Sequence, residues 1–395
     1  MKVLHLLKTA VGASWALRQT RELIKLGVEV HLALPDGPMV EKYRAQGVEV
    51  HILQTALNIK KPWANIKLFR QFRQLVADVQ PDIIHSHFVA TTLTMRLALG
   101  RNDPIPRIFH VPGPLHLEHG LFRRVDLWTA SKADYWLASC EWTRQCYLQN
   151  GISSERLGLA YYGVDIEAHH GQNTGKLHRE FDIPADAPVV GNVAYFYPPK
   201  KYLGQKRGLK GHEDLIDAVD IVAQQVANLH CVFVGGPWGE SHAYFESVKA
   251  YAAEKQHGRF IFTGTRHDVQ DVYAELDVAI HPSHSENVGG AVESLLSGVA
   301  TITSDVGGFP DLIKTDQTGW LVPKADPQAL AEAIRDALAN PDKRKQFAAQ
   351  GYDLAAYLLN VKNNASDITR YYQALIHEHA LTPKNNSENH CETTV

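Results

Sequence analysis

A chain of 395 residues is too long for one ordinary hydrophobic core and long enough for two domains. Hydrophobic residues make up 45% and charged residues 21%, the balance of a soluble globular enzyme, and a formal net charge of −3 argues against a general nucleic-acid binder. Cys140, Cys146, Cys231 and Cys391 show no CxxC spacing, so neither a zinc site nor a disulfide framework is suggested, and no apolar run approaches membrane-spanning length.

Lys2 to Leu7 reads as a buried strand, and its apolar run, Val3 to Leu7, is too short for a signal peptide, so a cytoplasmic protein is expected. A turn at Gly12 follows, and Ser14 is placed to cap a helix running to Leu26. Gly27 ends that helix and Val28 to Leu34 is the next strand; the phrase recurs at Gly47 as a second helix-ending glycine feeding a strand. Asn58 to Val76 is basic and amphipathic, with Lys60, Lys61, Lys67, Arg70 and Arg73 set among Trp63, Ile66, Leu68, Phe69 and Phe72. Such a helix has either a solvated basic face or one that lies on an anionic membrane. Asp82 to His87 is a strand ending in the pair His85 and His87, which alternation puts on one face; no third metal ligand follows at a recognisable spacing, so packed histidines are expected. Arg107 to His119 is a strand running into a Pro/Gly loop that carries His110, His116 and Glu118, and ligands gather where parallel strands end. Tyr135 to Ser139 is a strand, followed by a helix to Asn150, and Asp165 to Pro188 contains a connection to a second domain.

The second half repeats the strand–helix alternation, with strands expected over Val189 to Val193, His230 to Val234, Phe260 to Gly264 and Asp277 to His281. The loop before Lys210 carries Lys200, Lys201, Lys206 and Arg207, and its spacing is not that of a Walker loop. Gly235 and Gly236 after a strand suggest a loop lying close to a ligand. The most informative stretch is His281 to Gly308, where Glu286 and Asn287 precede Val288, Gly289 and Gly290 at the start of a short amphipathic helix. Glycines there let a ligand approach the backbone, and the free N–H groups with the positive dipole end favour a phosphate. Glu286 and Glu293 are seven positions apart, so both would share one face if the helix reached back that far. Helices are expected over Pro327 to Ala339, Lys343 to Val361 and Asn364 to His379, and the polar tail from Thr382 to Val395 reads as disordered.

The stretch from Glu286 to Glu293, continued by Asp305 to Asp311 and Thr318 to Val322, resembles the donor-site signature of the GT-B retaining glycosyltransferases of family 4. The family spaces its two glutamates one position further apart than the seven found here. It also carries an arginine where this chain has Ala194 to Pro199, and a histidine where this chain has Pro112; Lys210-Gly211 and Arg266 to Val269 keep the family pattern. The resemblance implies an α/β chain of two Rossmann-like doubly wound domains facing across a cleft. Residues 1–168 would form the acceptor domain and 169–359 the nucleotide-sugar domain; a helix about 360–379 would cross back onto the first, and 380–395 would be a tail. Lys210 and the amides of Val288, Gly289 and Gly290 would hold a diphosphate. Glu293 would take ribose hydroxyls, Glu286 the transferred sugar and Arg266 the base, with Gly12 and Asn287 completing the donor-binding set. His110 and His116 are the substitutes for the missing histidine.

The implied reaction moves a hexose or N-acetylhexosamine from a nucleotide sugar, with a lean towards uridine, to a glycan or lipid-linked acceptor. It would retain configuration and need no metal or other cofactor, and no D-x-D motif ends a strand. A non-hydrolysing UDP-sugar epimerase shares the two-domain plan without the two-glutamate signature. An inactive sugar-nucleotide-binding partner protein is the third reading.

Overall fold

The computed structural model describes residues 1–113, 115–169, 171–200 and 204–381. The tail read from Thr382 to Val395 and Lys201 of the basic loop lie outside the described residues. Strands β1 (Lys2–Leu6), β2 (Glu29–Leu34), β3 (Glu49–Ile52), β4 (Ile83–Ser86), β5 (Arg107–His110), β6 (Asp134–Ala138) and β7 (Leu157–Leu159) form a seven-stranded sheet in the order β3-β2-β1-β4-β5-β6-β7. Strands β8 (Val189–Val193), β9 (His230–Val234), β10 (Arg259–Gly264), β11 (Val278–His281), β12 (Thr301–Ser304) and β13 (Trp320–Val322) form a six-stranded sheet in the order β10-β9-β8-β11-β12-β13. Every pairing in both sheets is parallel. Parallel strands need helical crossovers that cover both faces, which is why β6 and β9 are buried at every position.

The strand order reverses at β1/β4 in the first sheet and at β8/β11 in the second. Loops leaving the carboxyl ends of such strand pairs diverge to opposite sides and open a crevice between them. Lys8 and Gly12 leave β1, Phe88 leaves β4, Tyr195 and Tyr197 leave β8, and Glu286 leaves β11. The chain has therefore set two crevices before any side-chain chemistry is considered.

Local signals account for most boundaries. Gly27 and Gly47, at φ 80° and 84°, end the helices Ser14–Lys25 and Val40–Arg44 and turn the chain into β2 and β3. Ser14 is not the cap of its helix. Ala13 holds the cap position at φ 55° without a side-chain cap bond, and the Ser14 hydroxyl instead accepts from Arg18 at 3.3 Å. The basic helix begins at Ala64 rather than Asn58, because reciprocal bonds between Asn58 and Asn65 (2.8 and 3.1 Å) fold the preceding residues into a turn. Its inner face is Leu68, Phe72, Val76 and Val79, while Trp63 and Ile66 stand 68% and 72% exposed.

The last helix, Val361–Leu381, packs Ala365, Ile368, Tyr372 and Leu375 into the core around β1 and β2. Burying side chains such as Ile368 and Leu375 contributes about 1.5–3 kcal/mol each, enough to hold the chain end on the first sheet. The Tyr372 hydroxyl bonds His85 and the Tyr371 hydroxyl donates to the Trp136 carbonyl at 3.3 Å. Asp311 fastens the two halves elsewhere: its carboxylate accepts from the Glu141 amide at 2.7 Å and from the Tyr161 hydroxyl at 2.9 Å.

Candidate active site

A cavity of ≈ 430 Å³ lies at the β8/β11 switch point, walled in part by Tyr195, Tyr197, Thr265, Arg266, Gly289 and Glu293. One end is the helix Gly289–Leu296, whose first amides have no partner inside the helix. Glu286 lies three residues before that helix, so the two glutamates do not share a helical face as the sequence spacing had suggested. Glu286 is held by the loop, and its Oε1 accepts from the Asn287 amide at 3.1 Å. Asn287 is fixed in turn: its carbonyl accepts from the Gly308 amide at 2.7 Å and its side-chain oxygen from the Ser139 hydroxyl at 3.2 Å.

The glycines serve different ends. A Cβ on Gly290 would lie 2.8 Å from the His281 ring, so this glycine makes room for a neighbouring side chain rather than for a ligand. On Gly289 the nearest atom would be Glu286 Oε1 at 3.5 Å, which leaves its outer side to the cavity. Gly235, at φ 137°, would drive a Cβ to within 2.1 Å of the Ala194 carbonyl; it brings two loops together at the cavity wall. Gly211 has φ 68° and would put a Cβ 2.0 Å from the Pro282 carbonyl, which ties the Lys210 loop to the loop after β11. Gly211→Ala is expected to cost about 1–3 kcal/mol, read as a lower urea midpoint at unchanged slope.

Lys210 and Glu286 form an ion pair between Nζ and Oε2, with side chains 18% and 13% exposed. Lys210 also lies 5.9 Å from the Tyr197 ring centre. Tyr197, on the segment that replaces the family's arginine, stacks on Trp238 at 5.0 Å, and burial with the nearby Glu286 charge pushes its hydroxyl up to about 12. It therefore stays protonated and able to donate. His281 is buried beneath Gly290, bonds the Ser294 hydroxyl at 3.1 Å, and is pushed down to about 3 by burial first and Lys210 second. Glu293 remains accessible from the cavity, yet the walls displace enough water to raise its carboxyl above the usual range, against the pull of His169 and Arg18. Arg266 lines the cavity with its guanidinium engaged by Asp268 in two 2.8 Å bonds and by Glu180 at 2.9 Å.

A second cavity of ≈ 630 Å³ lies at the mouth of the first sheet. Glu286 and Asn287 border it together with Lys8, Phe88, Pro112 and His116. His116 thus reaches the cleft, with Nε2 3.2 Å from the Tyr147 hydroxyl. His110 does not. It is fully buried, donates Nε2–H to the Ala160 carbonyl at 2.8 Å, stacks on Tyr162 at 4.1 Å, and is held near pKa 3 by desolvation. A neutral ring shut off from the cleft can position β5 but cannot touch a sugar. Gly12 sits at φ 69° with open space about its Cβ position and borders neither cavity.

The third histidine that spacing could not supply comes from β1. His5, His85 and His87 hold ring nitrogens within 4.8 Å of one another, all buried. The three rings stack, with interplanar angles of 15–27° and centroids 4.3–5.3 Å apart, and His5 Nδ1 meets His87 Nε2 at 3.0 Å. Metal-binding lone pairs lie in the ring planes, and near-parallel planes do not converge on one ion. Burial pushes all three far down, so the rings of the stack are neutral beneath the β1/β4 crevice.

Tyr195, Tyr197, Thr265 and His281 were missed as wall or support residues in the sequence; the Tyr-Phe-Tyr run from Tyr195 was visible only as a loss of the arginine. The chain matches two family models, described as Glycosyl transferases group 1 over residues 201–354 and Glycosyltransferase Family 4 over residues 13–168. D-inositol 3-phosphate glycosyltransferase of Corynebacterium glutamicum is 28% identical over 199 residues, 48% of this chain and 45% of that protein. Sulfoquinovosyl transferase SQD2 of Arabidopsis thaliana is 23% identical over 334 residues, 78% of this chain and 61% of that protein. The chain spans about half the length of the first relatives it matches. Anabaena HepE, solved in complex with UDP and with UDP-glucose, superposes with TM-scores of 0.78 and 0.77 at 19% identity, over 95% of this chain and 100% of that one, a likeness of fold.

Proposed function

The chain belongs to the GT-B glycosyltransferases of family 4, and from that premise we propose that it moves a hexose or N-acetylhexosamine from a UDP-linked donor to a glycan or lipid-linked acceptor, with retention of configuration, in surface polysaccharide or glycolipid synthesis. One observation carries the reading: the open helix end at Gly289, the Lys210 ammonium and the Glu293 carboxylate border one cavity, and Glu286, ion-paired to that Lys210, borders a second one. UDP in the HepE complexes supports the choice of base. The diphosphate would lie on the amides of Gly289 and Gly290 and on Lys210, and these groups would carry its charge without a metal. Glu293 would accept from the ribose hydroxyls and Arg266 would stand beside the base.

In the reaction the bond from the anomeric carbon to the diphosphate oxygen breaks as the acceptor oxygen bonds the same face of that carbon. The acceptor's proton passes to the departing phosphate oxygen. Glu286 would sit beside the carbon as positive charge develops, and Lys210 beside the oxygen as negative charge develops. Incubation with UDP-sugars and GDP-sugars, with and without lipid acceptors, tests the assignment. Transfer from a UDP-sugar is the expected outcome; epimer formation without acceptor, or binding without turnover, contradicts it.

Affinity for UDP-glucose is expected to fall as pH drops through the raised Glu293 value, because a protonated carboxyl no longer accepts two hydroxyl protons. Calorimetry at about pH 7 and about pH 5 reads this, and Glu293→Gln should flatten the dependence. Among the described residues no helix is long and apolar enough to cross a membrane. Exposed Trp63 and Ile66 beside Lys60, Lys61, Lys67 and Arg70 support a peripheral contact with the inner face of the cell membrane. Neutralising Lys60, Lys61 and Arg70 together should lower cosedimentation with anionic liposomes by about tenfold or more, at about 1 kcal/mol per charge; unchanged sedimentation would remove that contact.

A further inference from the structure

The cavity on the acceptor side of Glu286 has two unlike walls. Leu57, Ile59, Phe88, Leu93 and Phe122 supply an apolar wall from separate segments of the first half of the chain. The polar groups are Ser285, Glu286 and Asn287 of one loop, with Lys8 at the opposite strand end and His116, whose Nε2 is engaged by the Tyr147 hydroxyl. Lys8 Nζ stands 4.7 Å over the Phe88 ring and makes no ion pair with a carboxylate of the described residues. Ile59 and Phe122 are 90% and 45% exposed, so part of the apolar wall is open to solvent.

A free sugar chain is bound by many hydrogen-bonding side chains along its length, and this wall offers few. A cation beside an apolar trough, next to the glutamate that faces the donor, suits a ligand with an anionic group and a hydrocarbon chain. From this we infer that the cavity takes an amphiphilic acceptor, a phosphate-linked hydroxyl group carried on an apolar chain, with the phosphate at Lys8 and the chain along Leu57, Ile59, Leu93 and Phe122. The inference rests on the donor assignment made above and narrows its acceptor to the lipid-linked class. The chain need not enter the donor cavity, so the two ligands bind together.

Calorimetry on the full chain with decyl phosphate, below its micelle concentration, is the direct test, with inorganic phosphate and decanol as partial ligands and UDP titrated separately. Decyl phosphate should bind at least about tenfold more tightly than either fragment, with or without saturating UDP. Lys8→Met should weaken it by about tenfold and make it insensitive to salt. The pair Ile59→Ser and Phe122→Ser, at exposed positions where folding is not at stake, should weaken it by about tenfold as well. UDP affinity should not change in any of these variants. Farnesyl phosphate and a lysophosphatidate form two further arms, and the tighter one identifies an isoprenoid or a glycerolipid chain. Equal binding of decyl phosphate to parent and variants, or competition with UDP, overturns the inference while leaving the donor reading intact. Failure of UDP to bind the parent overturns the donor reading and the acceptor role with it.

Discussion

Glu286→Gln is expected to lower turnover by about 10²-fold or more, while UDP affinity stays within about threefold of the parent. Glutamine keeps the shape and the Asn287 amide contact and removes only the charge. Among the described residues that charge is ion-paired with Lys210, and both side chains are largely withdrawn from water. A pair so placed is costly to desolvate, and removing one partner leaves the other charge uncompensated. On donor binding Lys210 would turn to the diphosphate and leave Glu286 facing the anomeric carbon. The glutamate's charge would then be felt most as the carbon becomes cationic, a transition-state effect that appears in kcat. A rate equal to the parent's would remove Glu286 from the reaction.

Lys210→Met is expected to act on the other quantity. Loss of a charged bond to the diphosphate, about 1.5–3 kcal/mol, should weaken UDP binding by about 10–100-fold and lower kcat as well, since the leaving group's charge grows in the transition state. Glu286 would be left without its partner at 13% exposure, so the variant should lose some stability. The double variant with Glu286→Gln should recover that stability without recovering UDP affinity. This separates the structural part of the pair from its part in binding. Unchanged UDP affinity in Lys210→Met would place the diphosphate elsewhere.

The fold was legible because parallel sheets write themselves locally. Buried runs such as Val189 to Val193 and His230 to Val234, each followed by a helix and a turn, carry the α/β alternation, and Gly27 and Gly47 mark two of its joints. The donor-side loop was legible for the same reason, since Glu286 to Glu293 is one contiguous segment. Reading went astray where tertiary neighbours decide. Gly290 looked like space for a ligand and is space for His281, a residue nine positions earlier that no pattern linked to it. His110 was read as a substitute for the family's missing histidine because it ends a strand beside a Pro/Gly loop, yet Tyr162 and the Ala160 carbonyl close over it. The third ring of the histidine stack comes from His5, about eighty residues before its partners, and the apolar cavity is assembled from segments spread from Lys8 to Asn287. Such groupings follow from strand order, which sequence spacing does not carry.

A crystal structure with UDP bound tests the central claim most directly. The claim predicts the diphosphate within hydrogen-bonding distance of the Gly289 and Gly290 amides, Lys210 turned to it and away from Glu286, and the ribose on Glu293. A nucleotide lodged outside the β8/β11 crevice, with the Lys210–Glu286 pair still closed, would contradict it.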